Sequence, residues 1–304
     1  MNMISNRYIT LEIKNHKKRI RINRGCPQGG ILSPFLWNLV VDDLLKHIEK
    51  NDVGNVQAFA DDLLSLVCGS CPSTLRDITQ RSLGIIERWC EAKGLKVSAI
   101  KTKVVMFTWN TKWSIRALRL SGETLELSPT VKFLGITLDS KLSFKPHIEN
   151  ITRKATTILF QCRKAVGPTW GLTPQTCRWI YTAVVRPVIT YGVSIWIRAL
   201  TVQQNQALFR KMQRRAMILA TGALPSTPSI TLNRLNNIPD IIDYLEGEAA
   251  NNALRLTAYG SWTREILPDL KGTITSHSKI IDTYIKEKVK PPKGDLDLTT
   301  PITN

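Results

Sequence analysis

Alternating apolar and polar positions predict strands at the front of the chain, and helical spacing takes over towards the rear. Residues 7–24 alternate, with Ile9 and Leu11 on one face, and predict a β-hairpin. Helical spacing then predicts a first helix over residues 34–50, with Ser33 as its N-cap.

The middle of the chain combines strands with one more helix. An apolar run broken only by Asp61 and Asp62 predicts two strands joined by a tight turn. A helix is predicted over residues 73–93, ended by Gly94, and residues 95–108 predict a further strand. Because strand pairs and helices follow one another, the predicted fold class is α+β, an antiparallel sheet with helices on one face.

The rear of the chain is predicted to be mostly α-helical. In order, the predicted elements are short strands over 118–127 and 130–138 and helices over 144–166, 174–199 (kinked at Pro187), 203–222, 227–236 and 239–257. The stretch after about Lys271 is proline-containing and aperiodic, which predicts a tail or a linker.

The net charge of +18 is concentrated in two segments. Residues 1–24 hold seven basic residues and one acid, and residues 141–215 hold thirteen basic residues and one acid. A local excess of this kind favours surfaces that meet a polyanion, although charge runs alone also fit a solvated helix face.

We expect no membrane span and no export signal from this sequence. The longest uncharged stretch, 216–233, is interrupted by glycine and proline, and the first residues are basic. Of the six cysteines only Cys68 and Cys71 have a metal-like spacing, and no second pair accompanies them. The expectation is therefore an intracellular protein, nuclear and/or cytoplasmic, without a zinc site.

Asp61 and Asp62 form the candidate chemical centre. They interrupt the most apolar strand pair of the chain, where two neighbouring carboxylates would need a compensating cation, and hard oxygen ligands suit Mg²⁺. An acidic turn exposed to water is the alternative for an isolated pair. Ahead of the first helix, the glycine-rich GCPQGG at 25–30 would let a ligand approach the backbone closely.

Together and in this order, the motifs resemble the reverse transcriptases of non-LTR (LINE-type, jockey-like) retrotransposons. The resemblance is carried by RGCPQGGILSPFLWN at 24–38, FADD at 59–62, GLKVSAIKTK at 94–103 and VKFLGITLD at 131–139. The segments ITRKA at 151–155 and RWIYTAVVRPVITYGVSIW at 178–196 are similar to the helical thumb of the same elements. The resemblance covers about residues 5–257.

This resemblance implies template-directed DNA synthesis by two-metal nucleotidyl transfer, with an RNA template, a DNA primer, dNTPs and Mg²⁺ (or Mn²⁺). Asp61 and Asp62 would bind the metal. Lys101 would approach the triphosphate, although it also fits a solvated strand lysine. The residues implied near nucleotide and template are Gln28, Gly29, Gly30, Phe59 and Ala60, and those of the primer grip are Phe133, Leu134 and Gly135. From the basic segment 141–215 come the candidate nucleic-acid contacts Arg153, Lys154, Arg163, Lys164, Arg210, Lys211, Arg214 and Arg215.

The resemblance also predicts a division of the chain. The predicted parts are a partial reverse transcriptase palm over 1–110, connecting strands with a primer-grip-like hairpin over 111–140, a helical thumb-like region over 141–257 and a tail or truncated linker over 258–304.

Two departures from the family pattern qualify the expected activity. The family carries another catalytic aspartate upstream, whereas the single acid before the glycine motif here is Glu12, so we expect little or no activity from this chain alone. Ser98 and Ala99 occupy the positions where the family often has Asn-Pro, which weakens the assignment of Lys101 as a triphosphate-binding residue. The alternatives are a non-catalytic nucleic-acid-binding module derived from such an enzyme, and a chain that does not fold stably because of an uncovered sheet edge.

Overall fold

The computed structural model describes residues 7–14, 16–22, 25–27, 29–110, 112–167 and 170–258, so Gln28 and the predicted tail after residue 258 lie outside the described residues. The chain divides into two compact units, a front unit that ends at Val131 and a rear unit that begins at Lys132. Helices and small antiparallel strand pairs occur together, which agrees with the predicted α+β class.

The front unit is built from β-hairpins and two long helices. Its elements are β1 (Arg7–Ile13), β2 (His16–Ile22), α1 (Ser33–Lys50), β3 (Asn55–Phe59), β4 (Asp62–Leu66), α2 (Pro72–Lys93), β5 (Leu118–Leu120) and β6 (Glu123–Leu125). The single antiparallel sheet that we predicted is not found, because the described strands form separate two-stranded sheets, each pairing neighbours in sequence. The N-terminal hairpin, both helices and the Gly94 cap, which has a left-handed backbone with φ +69°, are confirmed.

The strand predicted over residues 95–108 is wrong. Residues 98–102 form a hydrogen-bonded turn, and beyond it Val104 makes only an isolated bridge with Leu127. The apolar residues of this segment contribute to a core: Ala99 is buried in the same cluster as Leu118, and Val97 and Val104 pack against that cluster. Alternate residues of this segment are wholly or partly buried in the core, which gives the sequence the alternation of a strand although the segment pairs with no strand.

Helices α1 and α2 pack through a core that includes Leu44, Ile48 and Ile86. At the edge of this core the carboxylate of Asp43 accepts a hydrogen bond from Trp89 Nε1 at 3.0 Å, and Lys93 Nζ lies 3.0 Å from the same oxygen. These contacts fix the orientation of α1, which positions the candidate site.

The rear unit is a helical assembly preceded by a hairpin. Its elements are β7 (Thr130–Phe133, which spans the division), β8 (Ile136–Asp139), α3 (Lys145–Lys164), α4 (Pro174–Ile180), a π-helical turn (Tyr181–Val185), α5 (Arg186–Thr190), α6 (Val193–Trp196), a 3₁₀ turn (Ile197–Thr201), α7 (Gln203–Thr221), α8 (Ser229–Leu235) and α9 (Ile241–Ala258). Its core surrounds the fully buried side chains of Tyr181, Trp196 and Phe209, and the last two stack with ring centroids 5.7 Å apart.

The long helix predicted over residues 174–199 is broken into shorter pieces. A π-helical turn precedes Pro187, whose ring and missing N–H cannot continue an α-helical ladder. The chain then leaves the helix at Tyr191 and passes through Gly192, which has φ +60°. The sequence predicted a kink here, but the structure breaks the helix a few residues after the proline.

No single helix among the described residues is long and apolar enough to cross a membrane. The bent pair of residues 174–190 and 193–201, with 53° between its halves, meets the criteria of length and composition. This pair supplies Tyr181, Val185 and Trp196 to the core of the rear unit, each with no exposed area. Its apolar character is explained by that core.

Candidate active site and nucleic-acid surfaces

The turn between β3 and β4 carries both candidate metal-binding carboxylates. The two strands pair antiparallel as far as Phe59 and Asp62, which leaves Ala60 and Asp61 as the connecting residues. Ala60 has φ +52°, a left-handed conformation that costs a non-glycine residue about 1–2 kcal/mol. Such a backbone persists where surrounding contacts hold it in place.

Helix α1 supplies one of those contacts and joins the acidic turn to the glycine-rich segment. The indole N–H of Trp37 donates to the carbonyl of Ala60 at 2.6 Å. One helical turn earlier, about 6 Å along the axis, the hydroxyl of Ser33 donates to the carbonyl of Pro27 at 2.7 Å. The two motifs that the sequence separates by some thirty residues therefore lie on the same end of one helix.

Ser33 is not the N-cap that we predicted. Leu32 occupies that position without a side-chain cap, and the Ser33 hydroxyl is used to hold the glycine-rich segment instead. Within this segment the N–H of Gly30 donates to Pro27 at 3.1 Å, and Gly29 has φ +80°. This positive φ favours glycine at position 29. A Cβ there would meet nothing within 4 Å, so the space beside Gly29 is open.

The acidic turn is solvated, as in the alternative that the sequence left open, although it interrupts the most apolar strand pair of the chain. Asp61 and Asp62 are both exposed, and so is Phe59, at 62 %. Because paired residues of an antiparallel hairpin share a face, Asp62 lies on the side of Phe59. Because these carboxylates are exposed, their charge does not need a bound cation for compensation. The hypothesis of metal binding depends on the suitability of carboxylate oxygens as ligands.

That chemistry fits a hydrated divalent ion. Among the described residues no group of three or more His, Cys, Asp or Glu side chains could hold a metal, so Asp61 and Asp62 would supply only part of a metal ion's ligands. Mg²⁺ is commonly held by one or two carboxylates, with waters and substrate phosphates completing its coordination. An exposed pair of aspartates suits this kind of binding better than a closed protein cage.

Lys101 is in a turn, not on the strand that we predicted. It is exposed, and its backbone N–H donates to Ser98 at 3.2 Å. The ion pairs of the described residues do not join Lys101 to either aspartate. Its approach to a triphosphate stays a prediction.

The primer-grip-like hairpin has a two-residue turn held by a tyrosine. Leu134 and Gly135 both have positive φ, +44° and +87°, as tight hairpin turns require. The hydroxyl of Tyr191 donates to the Leu134 carbonyl at 2.8 Å, and a Cβ on Gly135 would lie 2.9 Å from Tyr191 Cε1. The carbonyl of Tyr191 in turn accepts from buried Trp196 Nε1 at 3.1 Å, so the core of the rear unit anchors the turn.

Sequence reasoning missed Tyr191 and Trp37 as partners of the two turns. Tyr191 lies inside the kinked helix predicted over residues 174–199. The glycine that follows it was the sequence signal that the helix ends there. Trp37 lies within the helix predicted over residues 34–50, and no sequence signal shows that its indole N–H reaches a carbonyl 23 residues away. Phe133, the remaining primer-grip residue, is half-buried at the end of β7.

Three of the eight candidate nucleic-acid contacts line one groove. Arg153 of α3 and Lys211 and Arg215 of α7 border a groove of about 480 Å³, which we call the α3–α7 groove. Phe160 also lines it and is 59 % exposed. An exposed aromatic ring among cations suits a nucleic-acid surface.

The other candidates differ in how far they are engaged within the chain. Arg210 pairs with Asp240 at 3.4 Å, and Arg214 donates to Ser229 Oγ at 3.0 Å and to the carbonyl of Pro225. These two arginines hold neighbouring segments together. The remaining candidates are exposed on α3, and they are Lys154, Arg163 and Lys164.

Comparison with known proteins finds a family similarity at the front of the chain. Residues 1–138, which contain the glycine-rich segment and the acidic turn, match the family model described as reverse transcriptase (RNA-dependent DNA polymerase). Over these residues the chain is similar to reverse transcriptases. Its relatives come from non-LTR retrotransposons, which confirms the resemblance predicted from the motifs.

Three relatives show how far the similarity extends. The chain is 25 % identical over 240 residues to the 115 kDa protein in the type-1 retrotransposable element R1DM of Drosophila melanogaster, covering 79 % of this chain and 23 % of the relative. It is 28 % identical to an RNA-directed DNA polymerase from transposon BS of the same organism, covering 87 % and 30 %, and 25 % identical to that from its mobile element jockey, covering 85 % and 28 %. The chain thus spans less than a third of the length of each. No solved structure matches it.

Proposed function

We propose that the chain is part of an RNA-directed DNA polymerase, with the front unit contributing part of the palm and the rear unit a thumb-like region. The observation that carries the proposal is the pair of hydrogen bonds from α1, Trp37 to Ala60 and Ser33 to Pro27, which brings the acidic turn and the glycine-rich segment together. An RNA template, a DNA primer and dNTPs would be the substrates.

Each part of the site has a proposed role. Mg²⁺ or Mn²⁺, when bound, would favour ionisation of the primer hydroxyl and stabilise charge on the leaving pyrophosphate. Asp61 and Asp62 would hold the ion, and the open space at Gly29 would admit the template or the incoming nucleotide. Lys101 would bind the triphosphate, and the turn of Leu134 and Gly135 would support the primer end.

Little or no polymerase activity is proposed for the isolated chain, because two exposed carboxylates would supply only part of a two-metal ligand set among the described residues. An intracellular setting, nuclear and/or cytoplasmic, belongs to the same proposal, and immunofluorescence of the expressed chain would test it.

Metal binding tests the acidic turn directly. Titration with Mn²⁺, followed by electron paramagnetic resonance, should show binding that the double variant Asp61→Asn/Asp62→Asn loses. The matched control is Asp42→Asn/Asp77→Asn, which removes two exposed carboxylates that pair with neighbouring cations elsewhere in the front unit. Equal Mn²⁺ binding by both double variants would refute the site.

Primer extension tests the expected slow turnover. With an RNA template, a DNA primer, dNTPs and Mg²⁺, we expect little incorporation by this chain. Robust Mg²⁺-dependent incorporation that Asp61→Ala abolishes would show that two carboxylates suffice, and the slow-turnover part of the proposal would be wrong.

A second candidate function is nucleic-acid binding without catalysis, favoured by the α3–α7 groove. Replacing Arg153, Lys211 and Arg215 together by glutamine should lower the slope of log affinity against log salt by about 2–3, at roughly 0.7–0.9 per phosphate contact. The matched control neutralises three exposed cations of the front unit, Arg81, Arg88 and Lys96. An unchanged slope in the groove variant would exclude the groove as the binding surface.

A further inference from the structure

The β1–β2 hairpin has two chemically different faces. Its register pairs Tyr8 with Arg21, Thr10 with Arg19 and Glu12 with Lys17, and paired residues point to the same side. These six residues define the polar face. The opposite face carries the apolar residues Ile9, Leu11, Ile13, Ile20 and Ile22, together with Lys18, His16 and Arg7 at its ends and edge, and we call it the apolar face.

The polar face combines positive charge with an accessible ring. The face holds three cations, Lys17, Arg19 and Arg21, and one acid, Glu12, which lies 3.2 Å from Lys17 Nζ. The guanidinium of Arg19 lies 4.0 Å from the centre of the Tyr8 ring, and Tyr8 is 44 % exposed. A cation held against an exposed aromatic ring forms a platform on which a planar base can stack.

The position of the hairpin links this face to the candidate active site. Both strands are exposed along nearly their whole length. At the open end of the hairpin, the guanidinium of Arg7 donates to the carbonyl of Gly25, at the start of the glycine-rich segment. That segment is held by Ser33 on α1, and the same helix end holds the acidic turn.

We propose that the polar face of the β1–β2 hairpin binds a single-stranded nucleic-acid segment that leads to the glycine-rich segment and the acidic turn. A strand of seven residues is about 23 Å long, enough for several nucleotides. The charge excess suits a polyanion, and the exposed Tyr8 ring favours unpaired bases over a duplex, whose bases are already stacked. An acidic protein would use the cations without needing the ring.

Strand alternation supplies a sharp test of which face binds. A photo-crosslinking amino acid is introduced either at Thr10, on the polar face, or at Leu11, the next residue and on the apolar face. With a single-stranded oligonucleotide and the full chain, we expect crosslinking from position 10 to exceed that from position 11 at least severalfold. Equal yields, or a higher yield from position 11, would overturn the proposal.

Charge and stacking are tested separately by affinity. Arg19→Gln/Arg21→Gln should lower the salt slope for single-stranded binding by about 1.4, at roughly 0.7 per contact, whereas Arg81→Gln/Arg88→Gln on α2 should leave it unchanged. Tyr8→Leu should weaken binding at least about fivefold, and Tyr8→Phe, which keeps the ring, much less.

This inference rests on the proposed function, but the binding experiments can fail or succeed independently of it. All measurements are made in EDTA, so a failure of metal binding at the acidic turn does not affect them. If Tyr8→Leu has no effect while the arginine variant weakens heparin and oligonucleotide equally, the face is a general polyanion surface and the single-strand proposal is wrong. If neither variant changes binding, the hairpin has no part in it.

Discussion

Replacing Gly135 by alanine tests how the primer-grip-like turn is held. Gly135 has φ +87°, and an added Cβ would lie 2.9 Å from Cε1 of Tyr191. Two penalties are therefore expected, one from the backbone and one from the ring. The ring must move, and its hydroxyl then loses the 2.8 Å hydrogen bond to the carbonyl of Leu134.

The expected magnitude follows from these two parts. A left-handed alanine costs about 1–2 kcal/mol, of which the lower entropy of the unfolded chain offsets about 0.4–1 kcal/mol. Losing the hydrogen bond adds about 1 kcal/mol, near the middle of the usual range. The free energy of unfolding should therefore fall by about 2 kcal/mol.

Urea denaturation, followed by tryptophan fluorescence, measures this change. Gly222→Ala is the matched control, because Gly222 lies in the same unit with φ +67° and nothing within 4 Å of an added Cβ. It should cost only the net backbone penalty, roughly 1 kcal/mol. In a Tyr191→Ala background, the loss of unfolding free energy caused by Gly135→Ala should fall to the value expected for Gly222→Ala.

Two results would refute this reasoning. One is a penalty for Gly135→Ala no larger than that for Gly222→Ala. The other is an unchanged penalty in the Tyr191→Ala background, since the ring would then not be the obstacle. Either result would mean that Tyr191 does not hold the turn, and the anchoring of the hairpin to the core of the rear unit would have to be abandoned.

Three titrating groups yield further predictions. Burial lowers the pKa of His147, so stability should fall as the pH drops below about 6.5, and His147→Asn should flatten urea midpoints measured between pH 7 and 5. A hydrogen bond with Ser73 lowers the pKa of Cys71 to about 7, so its alkylation, followed by mass spectrometry, should be half-maximal near pH 7 and shift upward in Ser73→Ala. The indole of Trp89 and then Lys93 lower the pKa of Asp43, so this carboxylate should stabilise the fold above about pH 4 and lose that effect in acid, a loss that Asp43→Asn should remove from acid titrations.

Local patterns predicted the elements whose causes are local. The β1–β2 hairpin follows from alternation, helix α2 from its spacing and the Gly94 cap, and the β3–β4 turn from an apolar run broken by two aspartates. Each of these depends on residues a few positions apart. The ordered motifs indicated a resemblance to reverse transcriptases, and the comparisons confirmed that resemblance.

Errors arose where distant packing decided the outcome. Residues 95–108 have the composition of a strand, yet Ala99 and its neighbours serve the core around Leu118. The helix expected over 174–199 is apolar enough to continue, but the proline and Gly192 interrupt it, and its pieces turn to cover different parts of one core.

The sequence by itself determined which chemical groups are present: the two aspartates, the flexible glycine-rich segment, the basic helices and the alternation of the first hairpin. Only the tertiary structure decided which groups meet, because a hydrogen bond such as Trp37 to Ala60 or Tyr191 to Leu134 joins residues 23 or 57 positions apart. It also decided that Asp61 and Asp62 are exposed to water. Local propensity acts over a few residues, whereas solvation and contact depend on how the whole unit packs.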